Sequence, residues 1–280
     1  RLPLDADFGF TPTSVSAAAV PEIVRHLPID QSVGRGAIPG GARAAHQRLE
    51  HWLATGWSEY EAARNNPLRD ASSRLSAHLH FGCISPARIL RAARTYGGST
   101  ENWETLVDEL VVWRELSHRL CASIPKHRSY EQVVPPWAQQ EFRNHAHDPR
   151  EALYSLEDLE QSRTHDPFWN AMQMRLRETG ELHNWLRMLW GKAVILWTPS
   201  AAVAYEYLEA MNNKYALDGR DANSYGGIGW CFGWADRPFY RRPIWGTVRY
   251  MSLKAALKKF DYPAWQQAAN LPWLPSSPQR

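Results

Sequence analysis

The sequence predicts an all-helical domain that follows an extended N-terminal segment. Apolar residues recur at spacings of three and four along several stretches, whereas strand-like alternation of apolar and polar residues is scarce. The chain has 280 residues, of which 44% are hydrophobic and 22% are charged, as in ordinary globular proteins. We therefore expect a linker-like extended segment over residues 1–41 and one helical domain over residues 42–280.

The extended segment is predicted by its prolines and glycines. Pro3, Pro12, Pro21, Pro28 and Pro39 are spread along it, and it ends in the run Gly-Arg-Gly-Ala-Ile-Pro-Gly-Gly. Both residue types oppose regular helix, and this composition is typical of linkers. Because the chain opens with Arg and then with such a segment, we also expect it to be a fragment of a longer protein.

Helices are predicted along the rest of the chain from apolar spacing and from boundary residues. Ser85 followed by Pro86 is a typical helix start, and Pro199 ends one helix before the next begins. The stretches with helical periodicity are 43–53, 87–94, 106–120, 183–197 and 201–211. Long irregular connections are expected over residues 126–136 and 219–244.

The composition excludes several classes of function. The formal charge is only +3, and no apolar stretch is long enough to span a membrane. Cys83, Cys121 and Cys231 form no CxxC pair, which argues against a zinc ribbon or a disulfide scaffold. The His-x-His pairs lack other ligands nearby, so we expect no metal site. Because no signal sequence is present, we expect a cytoplasmic protein without a membrane partner.

Two clusters of polar residues could carry chemistry. Three hydroxyls and one guanidinium fall within the run Ser72-Ser73-Arg74-Leu75-Ser76, just before a helix, and could cradle a phosphate. An ordinary serine cap is the alternative. Glu109 and Trp113 are four residues apart and share one helix face, so the acid could be partly desolvated beside an indole. An exposed acid at the edge of a core helix is the alternative.

Aromatic and basic residues form two further patterns. The chain has 14 tryptophans, and Trp190 and Trp197 lie on one helix face, about 10 Å apart along its axis. Core packing alone could explain them. The stretch 237–259 contains seven basic residues and no acidic one, with aromatic residues interleaved. Such a stretch can bind phosphates and unstacked bases, although a solvated basic face would look the same.

Taken in order along the chain, longer motifs resemble the flavin-binding domain of class II photolyases, which repair cyclobutane pyrimidine dimers in DNA. The resemblance covers residues 60–261. Its motifs are Arg64-Asn-Asn-Pro67, Ser73-Arg-Leu-Ser-Ala-His-Leu-His-Phe-Gly82, Asp108-Glu-Leu110 with Trp113, Thr164-His-Asp-Pro-Phe-Trp-Asn170, Leu186-Arg-Met-Leu-Trp190, Tyr215-Ala-Leu-Asp-Gly-Arg-Asp221, Asn223-Ser-Tyr225 and Gly246-Thr-Val-Arg-Tyr-Met251. The family also has an N-terminal Rossmann-like domain, which this chain lacks, so we expect no antenna chromophore on it.

The resemblance implies a helical domain that binds FAD non-covalently. Asn212 matches the asparagine near the flavin N5 atom, with Asn223 as second choice. Arg187 and Asp218 match an ion pair beside the flavin ring. The implied cofactor-binding residues are Tyr60, Ser72, Ser73, Arg74, Leu75, Ser76, Arg187, Asp218, Asp221 and Asn223.

The resemblance also implies a site for damaged DNA and a route for electrons. Trp190, Trp169 and Trp197 match the chain of tryptophans that carries electrons from the surface to the excited flavin. The implied DNA-binding residues are Arg64, Asn65, Trp113, Met188, Trp230, Arg237, Arg241 and Arg242, and Glu109 is an implied catalytic contact to the lesion. The partner would be UV-damaged DNA, and we expect a monomer. A photoreceptor that binds FAD without repair, or a flavin-free nucleic-acid binding module, stays open as an alternative.

Overall fold

A computed structural model of the chain describes residues 15–124 and 129–269. The chain divides into two compact units, Arg1–Gly34 and Arg35–Arg280, which are treated separately. The predicted all-helical fold is confirmed: the described residues form α-helices and contain no strand, only an isolated bridge between Arg242 and Gly246. None of the described helices is long and apolar enough to cross a membrane.

The helices are numbered along the chain. They are α1 (Val20–Arg25), α2 (Ala42–Thr55), α3 (Tyr60–Ala63), α4 (Ser76–His80), α5 (Pro86–Tyr96), α6 (Thr100–Val107), α7 (Arg114–Ser123), α8 (Tyr130–Val133), α9 (Pro136–Asn144), α10 (Leu156–Glu160), α11 (Pro167–Thr179), α12 (Asn184–Leu196), α13 (Ala201–Tyr215), α14 (Ala222–Cys231), α15 (Leu253–Ala256) and α16 (Tyr262–Ala269). Short 3-10 turns cover Ala17–Ala19 and Trp57–Glu59, and a π-helical turn covers Asp108–Trp113.

In the described part of the first unit, the chain forms the short helix α1 after a 3-10 turn. The sequence predicts an extended segment here, but Pro21 lies in the first turn of α1, where its missing N–H costs no hydrogen bond. Residues 35–41 belong to the second unit, which therefore begins seven residues before the domain start that the sequence predicts. Within that unit, the Ala37 N–H donates to the Thr179 carbonyl oxygen at 3.0 Å.

The boundary residues act as the sequence predicts in several helices. The Ser85 side chain accepts a hydrogen bond from the Arg88 N–H and caps α5, with Pro86 in the first turn. α12 ends before Pro199, and Ser200 then caps α13 by accepting from the Val203 N–H at 3.2 Å. These caps supply partners for N–H groups that have none within the helix.

The predicted irregular connection over residues 219–244 is wrong in its first half, because residues 222–231 form α14. Three glycines in this helix hide its pattern, since glycine opposes helix formation in isolation. The structure explains Gly226 by close packing against α7, and Gly229 by close packing against Val133 of α8 and Trp234. A Cβ atom on Gly226 would lie 2.3 Å from the Ser117 hydroxyl oxygen, so only glycine allows this approach. The predicted connection over 126–136 likewise contains α8, and residues 125–128 lie outside the described part.

α12 is the central helix of the second unit, and residues all around it are buried. The helix packs against α11, α13 and α14. Its buried residues are Leu186, Leu189, Trp190, Gly191, Lys192, Ala193, Val194 and Ile195. A helix enclosed on all sides is typical of the interior of a large domain. Residues of α12 therefore lie close to the centre of the fold, where the candidate site is found.

Gly226→Ala should lower the free energy of unfolding by about 2 kcal/mol, because the added methyl group overpacks the contact with α7. Gly227→Ala is the matched control in the same helix, since the nearest atom to its methyl group, Met188 Cε, would be 3.7 Å away. The control should leave stability unchanged or raise it by up to about 1 kcal/mol. Urea denaturation measures both values. Equal stability of the two variants would contradict the packing argument.

Candidate functional site

A cavity of about 930 Å³ lies beside α12 and gathers most of the residues that the sequence singles out. Its volume is at the upper end of the range for small-molecule and cofactor sites. The predicted site residues that line it are Tyr60, Arg64, Asn65, Ser72, Ser73, Arg74, Leu75, Ser76, Glu109, Trp113, Arg187, Met188, Trp190, Asn212, Asp218, Asn223 and Trp230. The cavity is therefore a single site assembled from segments that are far apart in sequence.

The serine-rich loop along one wall is held in place from behind by Arg48. This side chain is only 3% exposed and forms two hydrogen bonds, of 2.9 and 2.8 Å, with the Asp70 carboxylate. It also donates to the Ser72 and Ser73 carbonyl oxygens at 2.9 and 2.8 Å. Burial alone would raise the Asp70 pKa, but the hydrogen bond and charge of Arg48 lower it. The loop is thus fixed with Ser72 and Ser73 on the cavity wall.

Two residues of the same loop are engaged within the protein. Arg74 has a φ of 54°, an uncommon backbone conformation for a residue other than glycine, and its guanidinium pairs with Glu181. The Ser76 hydroxyl donates to the Asp218 carboxylate at 2.5 Å. Leu75 between them is buried, and its side chain belongs to the hydrophobic core. The predicted phosphate-binding run 72–76 is therefore bound to other cavity residues through the Arg74 guanidinium and the Ser76 hydroxyl.

Arg187 and Asp218 form an ion pair on the cavity wall. The Arg187 Nη1 atom lies 3.0 Å from Asp218 Oδ1, and both side chains are more than four-fifths buried. Burial alone would raise the Asp218 pKa, but the attraction of Arg187 and the hydrogen bonds from Ser76 and Arg187 lower it. The pair joins α12, which carries Arg187, to the loop after α13.

Two polar atoms on this wall lack partners. The Asn212 Nδ2 and Arg187 Nε atoms are buried, and no hydrogen-bond partner for either is found among the described residues. A buried donor without a partner is costly, and its presence on a cavity wall fits a bound polar group. The Asn223 amide, by contrast, donates to Asp221 Oδ1 at 2.9 Å. The geometry therefore favours Asn212 over Asn223 as the asparagine that faces a ligand.

Asp221 lies at the start of α14, where it acts as a helix cap. Its carboxylate accepts hydrogen bonds from the Asn223 backbone N–H and lies 3.2 Å from the His80 ring. Such a cap fully accounts for an aspartate at this position. The structure thus places Asp221 behind Asn223, while its predicted cofactor contact stays a prediction.

A π-helical turn shapes the opposite end of the cavity. α6 and α7 run as one helix through the turn Asp108–Trp113, and π-helical turns are rare and often found at functional sites. Glu109 and Trp113 from this turn both line the cavity, and the Trp113 side chain is 38% exposed. The Glu109 side chain is 32% exposed, and the Nη1 atom of Arg64, from a distant part of the sequence, lies 2.8 Å from its carboxylate.

Three tryptophans form a buried row that begins at the cavity. The Trp190 ring lines the cavity and is stacked on the Trp169 ring, with centroids 6.4 Å apart and planes 6° apart. Trp169 in turn meets the edge of Trp197, with centroids 5.6 Å apart. Trp197 is itself buried, and it contacts Tyr154 and the exposed His165. The sequence predicts the row, but its last indole is covered from solvent by residues that sequence reasoning missed.

The basic residues of the stretch 237–259 lie outside the cavity, although Met251 of the same stretch lines it, and some of them are paired. Arg241 forms an ion pair with Glu141 at 3.2 Å, while Arg242 lies over the Tyr250 ring and Arg237 over the Phe239 ring. Glu141 belongs to α9, which is far from this stretch in sequence. The ion pair could therefore not be predicted from residues 237–259, which contain no acidic residue. The predicted DNA contact of the three arginines stays a prediction.

Two more cavity features escaped the sequence analysis. His183 caps α12 by accepting from the Trp185 N–H at 3.2 Å, and burial lowers its pKa to about 4. It is therefore neutral near pH 7. Arg48 also escaped notice, because a lone arginine in a helix carries no sequence signal for a buried partner. Among the described residues no cluster of three or more His, Cys, Asp or Glu could hold a metal ion.

The described fold is that of the helical domain shared by photolyases and cryptochromes. A bacterial class III photolyase from Agrobacterium tumefaciens superposes with a TM-score of 0.64 over 81% of this chain and 44% of its own, at 21% identity. A cryptochrome from Synechocystis superposes with a TM-score of 0.59 over 90% of this chain and 50% of its own, at 19% identity. Both similarities concern the fold.

Sequence comparison gives the family. The deoxyribodipyrimidine photo-lyase of Methanothermobacter thermautotrophicus is 37% identical over 239 residues, which are 85% of this chain and 53% of that protein. The enzyme of the same name from Potorous tridactylus is 38% identical over 84% of this chain and 44% of its own length. The chain belongs to the photolyase family, and it spans about half the length of these relatives. No protein-family profile matches it.

Asp218→Asn should lower the free energy of unfolding by about 3 kcal/mol near pH 7, because Arg187 would stay buried without its counter-charge. The stability that Asp218 contributes is complete above its ordinary pKa of 3.8 and is lost as the pH falls through the lower folded value. The difference between wild type and variant should therefore shrink below that pH. Denaturant titrations at several pH values measure it.

The matched control for this pair is the double variant Arg187→Met/Asp218→Asn. It removes both charges and leaves no unpaired one, so it should unfold at nearly the wild-type free energy. If the single variant is as stable as wild type at pH 7, the pair does not stabilise the cavity wall.

Proposed function

We propose that this chain is the FAD-binding, catalytic part of a class II photolyase that uses light to split cyclobutane pyrimidine dimers in DNA. The observation that carries the proposal is one cavity that holds the Arg187–Asp218 pair, the unpartnered Asn212 amide and the first indole of a buried tryptophan row. The names of the relatives support the same activity. An enzyme of this class needs a flavin site, a lesion site and an electron route.

The flavin site is proposed along the wall formed by α12, α13 and the serine-rich loop. Arg187 would face the flavin ring and stabilise negative charge on it, with Asp218 fixing its orientation. The free amide of Asn212 would donate to a flavin ring nitrogen. Ser72 and Ser73, on a loop that Arg48 holds in place, would donate to phosphates. When bound and reduced, FAD would supply the electron that light transfers to the dimer and that returns after splitting.

The lesion site is proposed at the end of the cavity shaped by the π-helical turn. A dimer in duplex DNA is reached only after it leaves the stack, and a damaged pair costs less to extrude than an intact one. Trp113 and Trp230 would each give about 1–3 kcal/mol by stacking on the extruded bases. Glu109, oriented by Arg64, would contact a thymine carbonyl at which charge develops, so it would act mainly on the splitting step.

The electron route is proposed along the tryptophan row. Trp190, Trp169 and Trp197 would pass an electron inward by short steps between indoles that are in contact. The Trp190 Nε1 donates to Gln173 Oε1 at 2.9 Å, and the Trp169 Nε1 donates to the Trp190 carbonyl oxygen at 2.9 Å. These hydrogen bonds fix the orientation of both rings. The arginines of the basic stretch would hold flanking phosphates, so affinity for DNA should fall steeply with salt.

Trp190→Phe should slow the light-driven reduction of bound flavin by an external reductant, because the ring next to the cavity can no longer give up an electron. The measurement is flavin absorbance during blue illumination of the chain after reconstitution with FAD. Trp245→Phe is the matched control, since Trp245 is equally buried but lies outside the row. An equal rate in Trp190→Phe and wild type would contradict the route, and a folded chain that takes up no FAD would contradict the flavin site.

Glu109→Gln should lower the number of dimers repaired per absorbed photon while keeping most of the affinity for damaged DNA. Trp230→Ala should instead weaken lesion binding, by about 1–3 kcal/mol. Binding is measured on a dimer-containing duplex in the dark, and repair on the same duplex with reduced flavin under calibrated light. The reverse pattern would show that the two roles are exchanged. Flavin photoreduction without repair in the wild type would favour a photoreceptor.

A further inference from the structure

Two cations lie near the ring of Trp230, an indole on the cavity wall. The Lys192 ammonium lies 5.0 Å from the centre of its ring, and the Arg249 guanidinium lies 5.5 Å from it. Both distances are within the range of cation–π contacts, in which a cation is attracted to the face of an indole. One of the two cations comes from α12 and the other from the loop that follows α14.

Lys192 is held rigidly in this position. The side chain is 0% exposed, and its ammonium donates to the Cys231 carbonyl oxygen at 2.8 Å and to the Arg249 carbonyl oxygen at 2.6 Å. It also lies 5.1 Å from the centre of the Trp245 ring. Two backbone carbonyls therefore fix the ammonium against two indoles. Lys192 has no role in the proposed repair reaction, and it is not on the surface.

The charges around this cluster are few. Asp236 accepts two hydrogen bonds from Arg249, at 2.7 and 3.0 Å, and so offsets the charge of that arginine. Burial lowers the pKa of Lys192 to about 8, so the ammonium is charged at neutral pH. Burial also raises the pKa of the neighbouring Cys231 thiol to about 11, so this thiol is neutral at the same pH. Trp230 thus faces a net positive charge.

The surroundings of Trp190 are different, although both indoles line the same cavity. Its Nε1 donates to the neutral side chain of Gln173, and its ring is stacked on Trp169. Loss of one electron from an indole leaves a positive charge on the ring. A fixed cation nearby opposes that charge, and the opposition is strong where water is excluded. The same oxidant should therefore take an electron from Trp190 more readily than from Trp230.

We propose that Lys192 and Arg249 protect the Trp230 indole from one-electron oxidation, so that Trp190 is the indole of the cavity that supplies electrons. The proposal deepens the proposed function and rests on it for its biological role. The step that is suppressed is the transfer of one electron from Trp230 to photoexcited oxidised flavin, the oxidant that the proposed function supplies, which would leave an indole radical cation. The protection keeps Trp230 intact for contact with the lesion. Oxidation is directed to Trp190, whose positive charge can pass to Trp169 in the tryptophan row.

The test uses the chain without flavin. Light, a ruthenium tris-bipyridine complex and persulfate generate a one-electron oxidant in solution, and peptide mass spectrometry then gives the oxidised fraction of each tryptophan. Trp113, the other indole on the lesion wall, serves as internal reference. Lys192→Met should raise the oxidation of Trp230 relative to Trp113 on the order of tenfold near pH 7. Arg249→Met should raise it less, because the Arg249 side chain is 39% exposed and water screens its charge more than that of the buried Lys192. Lys254→Met, at an exposed lysine, is the control and should change nothing.

A second arm needs no substitution and decides the matter if Lys192→Met fails to fold. Between about pH 6.5 and about pH 9.5, wild-type Lys192 loses its proton, because its pKa is about 8. The oxidation of Trp230 relative to Trp113 should rise over this interval in the wild type.

A ratio that is independent of pH in the wild type, or equal in wild type and Lys192→Met, would overturn the proposal. Failure to bind FAD would refute the proposed function and leave this result standing. In chains that do bind FAD, the photoreduction that remains in Trp190→Phe should increase in Trp190→Phe/Lys192→Met and fall again when Trp230→Phe is added.

Discussion

The ion pair between Arg187 and Asp218 is the interaction on which the cavity depends. It ties the central helix α12 to the loop after α13, and Ser76 adds the start of α4 to the same carboxylate. Two charges in this place are tolerated because each satisfies the other, and the loss of either would leave a buried charge. The polar wall is therefore stable without a ligand while it still presents the Arg187 Nε and Asn212 Nδ2 atoms to one.

Much of the fold could be predicted from the sequence, because local signals determine where helices begin and end. The spacing of apolar residues gave α2, α12 and α13, and Ser85-Pro86 gave the start of α5. α14 could not be predicted, because Gly226 and Gly229 serve close contacts with α7 and α8 that exist only in the folded chain. The π-helical turn is likewise set by its surroundings and has no distinct sequence pattern.

The candidate site was predicted residue by residue from motifs, and of its pairings only the ion pair between Arg187 and Asp218 was predicted. Glu109 meets Arg64 and Arg74 meets Glu181 across long stretches of chain, and no periodicity encodes such contacts. The tryptophan row shows the same limit. The three indoles were predicted, whereas the Tyr154 and His165 side chains at its outer end depend on how α11 and the preceding loop fold against α12. Side-chain chemistry can be predicted from sequence, and partners depend on tertiary structure.

The π-helical turn has a consequence for changes in chain length. In a regular α-helix each residue turns the chain by about 100°, so one extra residue would rotate everything that follows unless it is taken up locally. A π-helical turn takes it up, because its hydrogen bonds reach five residues along the chain instead of four and the turn therefore holds one residue more. Deletion of one residue within residues 108–113 would let this turn become regular α-helix and would leave Ser117 facing Gly226 of α14. The deletion would instead change where Glu109 and Trp113 stand on the cavity wall, and homologous chains that lack the turn would align across it with a gap of one residue.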